Sequence, residues 1–167
     1  MADISIRRAL PADAAAIVTI YNHYVLHSPA TFDTAEKTVE EREAWLADHG
    51  DSHPVFVAER EGVVVGWSSL SPYRDRPGWR YTVEAAVYLE PSETGQGLGP
   101  QLLAALIVAA REAGHHAVLS QIVASNEASL KMAERAGFER VGYLREVGHK
   151  FDRWIDLVIM QLVLPPG

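Results

Sequence analysis

Three glycines alternate with other residues directly before an apolar, helix-like run. The segment T-G-Q-G-L-G-P places Gly95, Gly97 and Gly99 after a strand-like run and before a helix predicted to start at Pro100. The first N–H groups of a helix lack internal partners, and the helix dipole makes that end positive. Glycine lets the backbone turn and lets a ligand approach closely. The segment therefore predicts a cradle of backbone donors suited to phosphates.

Two common phosphate-binding motifs do not fit this segment. A P-loop requires a lysine after its last glycine, and none follows here. A dinucleotide fingerprint requires a third glycine where this chain has Pro100 or Leu102, depending on the frame. A plain strand-to-helix connection with capping glycines is the simpler alternative, but three alternating glycines exceed what a cap needs.

Charged side chains lie close to this loop in the sequence. Glu84, in Y-T-V-E-A-A-V-Y, is on the strand that enters it, and strand alternation places Glu84 on the same face as Tyr88. Partial desolvation would raise the pKa of this carboxyl and make it a better base near neutral pH. A solvent-facing glutamate is the alternative. Arg74 and Arg76, in Y-R-D-R, could fork onto a carboxylate, or they could belong to a solvated charged loop.

Other kinds of catalysis find little support. The chain contains no cysteine, which excludes disulfides, zinc–thiolate sites and thiol nucleophiles. No serine occupies a G-x-S-x-G nucleophile elbow. His23 and His27 have the spacing of two metal ligands on one helix face, but no third ligand motif accompanies them. We therefore expect no metal.

The elements that must position these residues follow from apolar periodicity and turn residues. The pattern predicts strands around residues 4–6, 55–60, 63–70, 80–89, 117–123, 138–147 and 154–164, with helices over 12–26, 38–46, 100–112 and 126–136. The order β-α-α-β-β-β-α-β-α-β-β lacks strict alternation. It predicts an α+β fold with a mixed, mostly antiparallel central sheet flanked by helices.

Length, composition and charge limit the number of domains and the kinds of partner to be expected. The 167 residues (18.4 kDa) fit a single domain spanning 1–167, and 48% hydrophobic with 22% charged residues is ordinary for a globular protein. A net charge of -7 without a dense basic patch argues against nucleic-acid binding. No apolar run approaches the ~20 residues of a membrane span, and the N-terminal M-A-D-I-S-I-R-R has no apolar signal-like core. We therefore expect no membrane partner and a cytoplasmic location.

The glycine segment resembles the [QR]-x-x-G-x-[GA] motif of the GNAT superfamily of N-acetyltransferases. The stretch from Asn126 through Gly137-Phe138 resembles that superfamily's N-x-x-[AS]…G-[FY] element. The segments I-Y-N-H-Y-V, S-P-Y-R-D-R-P-G-W-R-Y-T-V-E and G-H-K-F-D-R-W-I-D-L narrow the resemblance to the phosphinothricin and L-amino-acid N-acetyltransferase group. The resemblance implies the acyl-CoA N-acyltransferase fold and acetyl-CoA as cosubstrate. Thr94 departs from the motif, which has Gln or Arg at that position.

The resemblance also implies roles for individual residues. Glu84 would be the general base, acting through water, and the N–H of Val87 or Tyr88 would stabilise the developing oxyanion. Residues expected to contact the cofactor are Val87, Tyr88, Leu89, Gly95, Gln96, Gly97, Leu98, Gly99, Asn126 and Arg135. Where many members carry a tyrosine or histidine that protonates the leaving thiolate, this chain has Ala133. We therefore expect turnover without a side-chain acid at that position.

The acceptor site implied by the resemblance involves Arg74 and Arg76, with Phe32 and Tyr81 as walls. Lys150 would reach the acceptor or a partner subunit, with a surface lysine as the alternative. Trp154 is expected to have a packing role. The predicted function is acetyl transfer from acetyl-CoA to the primary amine of a small L-amino acid or analogue, of the phosphinothricin or methionine sulfoximine/sulfone type, by a homodimer. The alternatives are another amine (a polyamine, an antibiotic or a protein N-terminus) and a non-catalytic CoA-binding sensor.

Overall fold

The computed structural model describes residues 3–166, and its elements follow the predicted order. The strands are β1 (Ile4–Arg8), β2 (Val55–Arg60), β3 (Val63–Pro72), β4 (Thr82–Leu89), β5 (Ala117–Val123), β6 (Glu139–Lys150) and β7 (Arg153–Val163). The helices are α1 (Ala14–His27), α2 (Val39–Asp48), α3 (Leu98–Glu112) and α4 (Glu127–Arg135). Single 3-10 turns occupy Pro11–Asp13, Pro77–Trp79 and Pro91–Glu93.

Local sequence signals explain where helices begin. Thr38 caps α2, because its side chain accepts a hydrogen bond from the Glu41 amide at 3.1 Å. Asn126 caps α4 in the same way through the Ser129 amide at 3.2 Å. Helix α3 starts at Leu98, two residues before the predicted start at Pro100, because the left-handed Gly97 (φ 84°) directs the chain into the helix. Pro100 is then the third helical residue, where an N–H still has no internal partner.

The seven strands form one sheet in the order β1-β2-β3-β4-β5-β7-β6. Every pair is antiparallel except β4 with β5, which is parallel. This confirms the predicted mixed, mostly antiparallel sheet and the α+β class.

The helices cover both faces of this sheet. One face packs against α1 and α2 through a cluster that includes Ile17, Tyr21, Val57 and Trp67. The opposite face packs against α3 and α4, where Leu106 and Leu130 lie over the centre of the sheet. Since side chains alternate along β4, Glu84, Ala86 and Tyr88 point toward the α1/α2 face, while Val83, Ala85 and Val87 point toward α3.

The parallel pair separates almost as soon as it forms. Strands β4 and β5 pair only at Thr82↔Ala117, Val83↔Val118 and Glu84↔Leu119. Beyond these positions β4 continues beside β3 alone, and β5 beside β7 alone. A gap therefore opens between the two central strands directly after Glu84, and one edge of β4 is left without a partner strand.

The hairpin of β6 and β7 carries apolar side chains in solvent. Its half-exposed members are Val141, Tyr143, Val147, Phe151 and Trp154. Trp154 is 66% exposed, so it packs at the surface of the hairpin and not in the core. It lies opposite His149 of β6, with the two ring centroids 4.7 Å apart. Within residues 3–166, no helix is long and apolar enough to cross a membrane.

Candidate active site

Glu84 lies at the point where the central strands part. It is the last residue of β4 paired with β5, and Gln121 of β5 donates a hydrogen bond from Nε2 to Glu84 Oε2 at 3.1 Å. Burial raises the pKa of the Glu84 carboxyl, and the bond from Gln121 opposes this effect. The sequence-predicted base is therefore half-buried beside the gap, with a raised proton affinity. Gln121 was not predicted, because its contact depends on the register between two strands.

The backbone of β4 beyond Glu84 offers donors to the gap. Glu90 N donates to Val65 O of β3. In an antiparallel pair every second residue forms such hydrogen bonds, so the N–H and C=O of Tyr88, two residues earlier, also point toward β3. The amides of Val87 and Leu89 point the other way, toward the open side. Of the two predicted oxyanion donors, Val87 is thus the one whose N–H faces the gap. The backbone of Tyr88 is committed to its neighbour strand.

An aromatic cluster lies beneath this open segment on the α1/α2 face. The Tyr88 ring stacks on Trp67 with centroids 4.9 Å apart, and Tyr21 meets Tyr88 edge-on at 5.3 Å. Burial raises the pKa of Tyr88, and burial together with Asp33 raises that of Tyr21 to about 12, so both phenols stay neutral. Tyr24 donates from its hydroxyl to Leu89 O at 2.5 Å. Leu89 therefore keeps only its N–H for a ligand.

The glycine loop has the geometry of the predicted cradle. Gly95 and Gly97 are both left-handed, with φ of 79° and 84°, and a Cβ added at either position would meet nothing within 4 Å. Within the described chain, the amides of residues 95–99 donate no hydrogen bond to any protein acceptor. The Leu98 side chain is fully buried, so this residue presents only its backbone. Open space and free donors fit a diphosphate.

Side chains around the glycine loop form hydrogen bonds and an ion pair within the protein. Thr94, at the position where the motif has Gln or Arg, donates from Oγ1 to Pro91 O at 3.0 Å and so closes its own turn. Gln96 Oε1 accepts a hydrogen bond from Arg60 at 3.2 Å, and Arg60 also forms an ion pair with Glu93 at 2.9 Å. Arg60 had no sequence signal, because it lies on a distant strand. It adds a positive charge beside the cradle.

Helix α4 presents the remaining cofactor candidates. Asn126 uses Oδ1 as the helix cap, and among the described residues its Nδ2 donates to no protein acceptor. Arg135 is exposed in the last turn. Ala133 is only 2% exposed and belongs to the core cluster with Leu130 and Phe138. No proton donor stands at this position, and a larger side chain there would have to displace the core.

The loop between β3 and β4 carries the predicted acceptor-binding arginines. Arg74 and Arg76 are both exposed, and the Arg74 guanidinium lies 5.0 Å from the ring of Tyr73 and 5.6 Å from that of Trp79. Since Glu84 is the third residue of β4, this loop emerges next to the base. Tyr81 is 52% exposed, so it is not part of the core.

Phe32 lies on the opposite side of the site, in the loop between α1 and α2. It is 39% exposed and therefore not a core residue. Its ring packs closely over Gly148 of β6, where an added Cβ would lie 2.4 Å from Phe32 Cζ. This contact ties the position of the ring to the backbone of β6.

The structure contradicts the surface alternative for Lys150. It is 4% exposed, so it is not a surface lysine. Its ammonium donates to three carbonyl oxygens, those of Ser28 (2.7 Å), Thr31 (2.8 Å) and Tyr24 (3.3 Å). All three N–H groups are therefore used within the chain, and none remains for the carboxylate of an acceptor. Lys150 fastens the loop that carries Phe32 to strand β6.

No group of three or more His, Cys, Asp or Glu side chains in the described part of the chain is placed to hold a metal ion. The site consists of a desolvated carboxylate, a free strand edge and a loop of free amides. It is suited to acyl transfer from a diphosphate-bearing thioester to an amine.

Comparison with known proteins identifies the class. Residues 6–159 match the family model for the acetyltransferase (GNAT) domain, and the chain belongs to that family. It is an acetyltransferase of the GNAT fold, as the glycine loop and the parted strands indicate.

Individual relatives narrow the comparison. The chain is 43% identical to an L-methionine sulfoximine/L-methionine sulfone acetyltransferase of Salmonella typhimurium, over 96% of this chain and 95% of the relative. It is 37% identical to a phosphinothricin N-acetyltransferase of Streptomyces coelicolor, over 93% and 94%.

Two solved structures are also similar. One is a Salmonella typhimurium acetyltransferase with its cofactor acetyl-CoA, with a TM-score of 0.95, 41% identity and coverage of 98% of this chain and 95% of the other. The second is a ribosomal-protein-alanine N-acetyltransferase of Brucella melitensis, with a TM-score of 0.93, 42% identity and coverage of 96% and 99%.

Proposed function

We propose that this protein transfers the acetyl group of acetyl-CoA to the α-amine of a small L-amino acid or analogue, of the methionine sulfoximine/sulfone or phosphinothricin type. The observation that carries the proposal is the parting of β4 and β5 directly after Glu84. Glu84, the Val87 amide and the glycine loop then follow one another along the free edge of β4, and this supports the proposal. We take the whole chain as one N-acetyltransferase domain.

Glu84 starts the reaction by accepting a proton from the acceptor ammonium, through water. The neutral amine then attacks the thioester carbon directly, since the chain has no cysteine to carry an acyl group. Val87 N–H donates to the carbonyl oxygen as negative charge develops there. When the carbon–sulfur bond breaks, the second amine proton leaves toward the thiolate. One proton is thus left on Glu84 in every turnover.

The cofactor is held mainly by the backbone. The amides of residues 95–99, without Pro100, meet the diphosphate, and the positive end of α3 supports them. Val87 N–H meets the thioester oxygen of the cofactor, Leu89 N–H donates to the pantetheine arm, and Asn126 donates through Nδ2. Arg135 approaches the phosphate end from α4.

The leaving thiolate departs without a side-chain acid at position 133. A free thiol has a pKa near ~8.5, which makes the thiolate a fair leaving group near neutral pH. Because Ala133 is part of the core, the variant Ala133→His would mainly test packing.

The acceptor lies between the loops that follow α1 and β3. Arg74 and Arg76 bind its carboxylate, while Phe32 and Tyr81 flank its side chain. The second candidate acceptor is the amino-terminal alanine of a protein, which the similarity to the ribosomal-protein-alanine enzyme favours. The two differ in one group, because a peptide has no carboxylate next to its reacting amine.

A thiol-release screen separates these acceptors. We expect release with methionine sulfone, methionine sulfoximine or phosphinothricin, and none with an Ala-initiated peptide. We expect Arg74→Ala to raise KM for an amino acid far more than for its carboxyl amide. Release with the peptide alone, or equal KM changes for acid and amide, would contradict the proposed acceptor.

We further propose a cytoplasmic homodimer. Strand β6 is an edge strand, and the apolar side chains of the β6–β7 hairpin are half-exposed. An antiparallel edge can pair with its own copy about a twofold axis. Light scattering should give twice 18.4 kDa for the natural chain. Val147→Lys should give a monomer, while Val108→Lys, at an equally exposed valine of α3, should not.

A further inference from the structure

The proposed reaction leaves a proton on Glu84 that must be removed before the next turnover. Partial burial raises the proton affinity of this carboxyl. One of its oxygens, Oε2, accepts a hydrogen bond from Gln121 on β5.

Ser71 is the residue of β3 directly opposite Glu84. Tyr73 N donates to Thr82 O, which makes Tyr73 and Thr82 a hydrogen-bonded pair of these antiparallel strands. Hydrogen-bonded pairs recur every second residue, so Ser71, two residues before Tyr73, and Glu84, two residues after Thr82, form the next such pair. Opposed residues project to the same face with Cβ atoms about 4.5–5.5 Å apart. Ser71 and Glu84 therefore project to one face of the sheet from neighbouring strands, where a proton can pass between them directly or through one water.

His49, which follows α2, meets the same hydroxyl from the outside. His49 Nε2 lies 3.2 Å from Ser71 Oγ, and Nδ1 lies 2.7 Å from Trp45 O. A carbonyl oxygen only accepts, so Nδ1 carries the hydrogen and the neutral ring presents a lone pair at Nε2. The Ser71 hydroxyl then donates to His49, and its own lone pairs remain free on the Glu84 side.

His49 also borders solvent. It lines a surface cavity of about 440 Å³ together with Arg8, Leu46, Asp51 and Pro54. The charged and titratable groups around it are Arg8 from β1, Asp51 from its own loop, and His53. Arg8 and Asp51 form an exposed ion pair at 3.4 Å.

We infer that Ser71 and His49 carry the proton from Glu84 to solvent after each acetyl transfer. The Ser71 hydroxyl gives its hydrogen to His49 Nε2 and takes the proton of the Glu84 carboxyl in its place. Glu84 becomes a carboxylate, His49 becomes an imidazolium with Nδ1–H still bonded to Trp45 O, and the cavity water then removes the proton from Nε2. Charge and protons balance, and no further reactant is needed. His49 is thus a proton-relay and positioning residue that never touches either substrate. This inference rests on the proposed function.

The test measures kcat of His49→Ala in dilute, weakly basic buffer and then with added imidazole or pyrazole. We expect kcat to fall on the order of tenfold, less than the ~10²–10⁴ contributed by a general base itself, with KM for both substrates unchanged. Imidazole should restore kcat because it can accept the proton. Pyrazole has the same ring shape but is far less basic, and it should not. His53→Ala, in the same loop but without a contact to Ser71, is the matched control and should keep the natural kcat.

Variants of Ser71 test the middle of the relay. Ser71→Ala should lower kcat without rescue by imidazole, and Ser71→Thr, which keeps the hydroxyl, should retain activity. A natural kcat for His49→Ala in dilute buffer, or equal rescue by pyrazole and imidazole, would overturn the relay while leaving the proposed function intact. Absence of turnover by the natural chain with every amine would overturn both.

Discussion

Replacing Lys150 by methionine tests whether one buried ammonium holds the acceptor loop in place. The natural side chain donates to Ser28 O at 2.7 Å and Thr31 O at 2.8 Å, and more weakly to Tyr24 O at 3.3 Å. Methionine has a similar length and no donor. The variant therefore leaves two short hydrogen bonds unmade and their carbonyls without this partner.

The magnitude follows from those two bonds. A hydrogen bond to a charged group contributes about 1.5–3 kcal/mol, so two contribute roughly 3–6 kcal/mol. Burying an apolar methyl group in place of a desolvated ammonium stabilises the folded variant by on the order of 1–2 kcal/mol. We expect a net destabilisation of about 2–4 kcal/mol, against a total stability on the order of 5–15 kcal/mol.

Urea denaturation measures this change. With a slope of about 2 kcal/mol per M, the midpoint should fall by about 1–2 M. Since Thr31 precedes Phe32, KM for the acceptor should also rise, while KM for acetyl-CoA should not. Lys131→Met, at an exposed lysine of α4, is the control and should shift neither quantity. An unchanged midpoint for Lys150→Met would refute the reasoning, because the carbonyls would then not depend on the ammonium.

Three further predictions concern the site itself. Glu84→Gln should lower kcat by about 10²–10⁴. Burial raises the pKa of Glu84 in the folded state, so the natural chain loses stability as the pH rises from the unfolded-state pKa to the folded-state pKa. The glutamine variant should therefore unfold at a higher urea concentration than the natural chain at neutral pH, but not at acidic pH. The reverse trend would contradict the assigned burial. Gly97→Ala should weaken acetyl-CoA binding about tenfold in calorimetry, since a left-handed alanine costs about 1–2 kcal/mol, whereas Gly50→Ala should leave binding unchanged. Gly148→Ala should displace the Phe32 ring and raise KM for the acceptor but not for acetyl-CoA. An unchanged KM for the acceptor would contradict the assignment of Phe32 to the acceptor site.

Sequence patterns predicted the order of elements because each pattern records a local preference. Apolar periodicity predicted a strand around 4–6 and a helix over 38–46, and the structure has β1 and α2 there. Boundaries were less accurate, as at α3, because the left-handed Gly97 starts the helix earlier than the proline suggested.

Site residues were predictable to the extent that they act through the backbone or lie on one strand. Glu84 and the glycine loop belong to consecutive elements, so strand alternation and helix-end physics predicted both. Gln121 and Arg60 gave no signal, because strand register alone brings them to the site.

The sequence by itself determined which backbone conformations are accessible, and this is why the glycine loop and its free amides could be predicted. Only the tertiary structure decided where chains far apart in sequence meet. Lys150 was expected at the surface or at a substrate, yet it bonds carbonyls more than a hundred residues away. The pairing of β4 with β5 ends after Glu84, and beyond that point β4 stays beside β3 and β5 beside β7. Such contacts depend on long-range packing, which a local pattern of residues does not record.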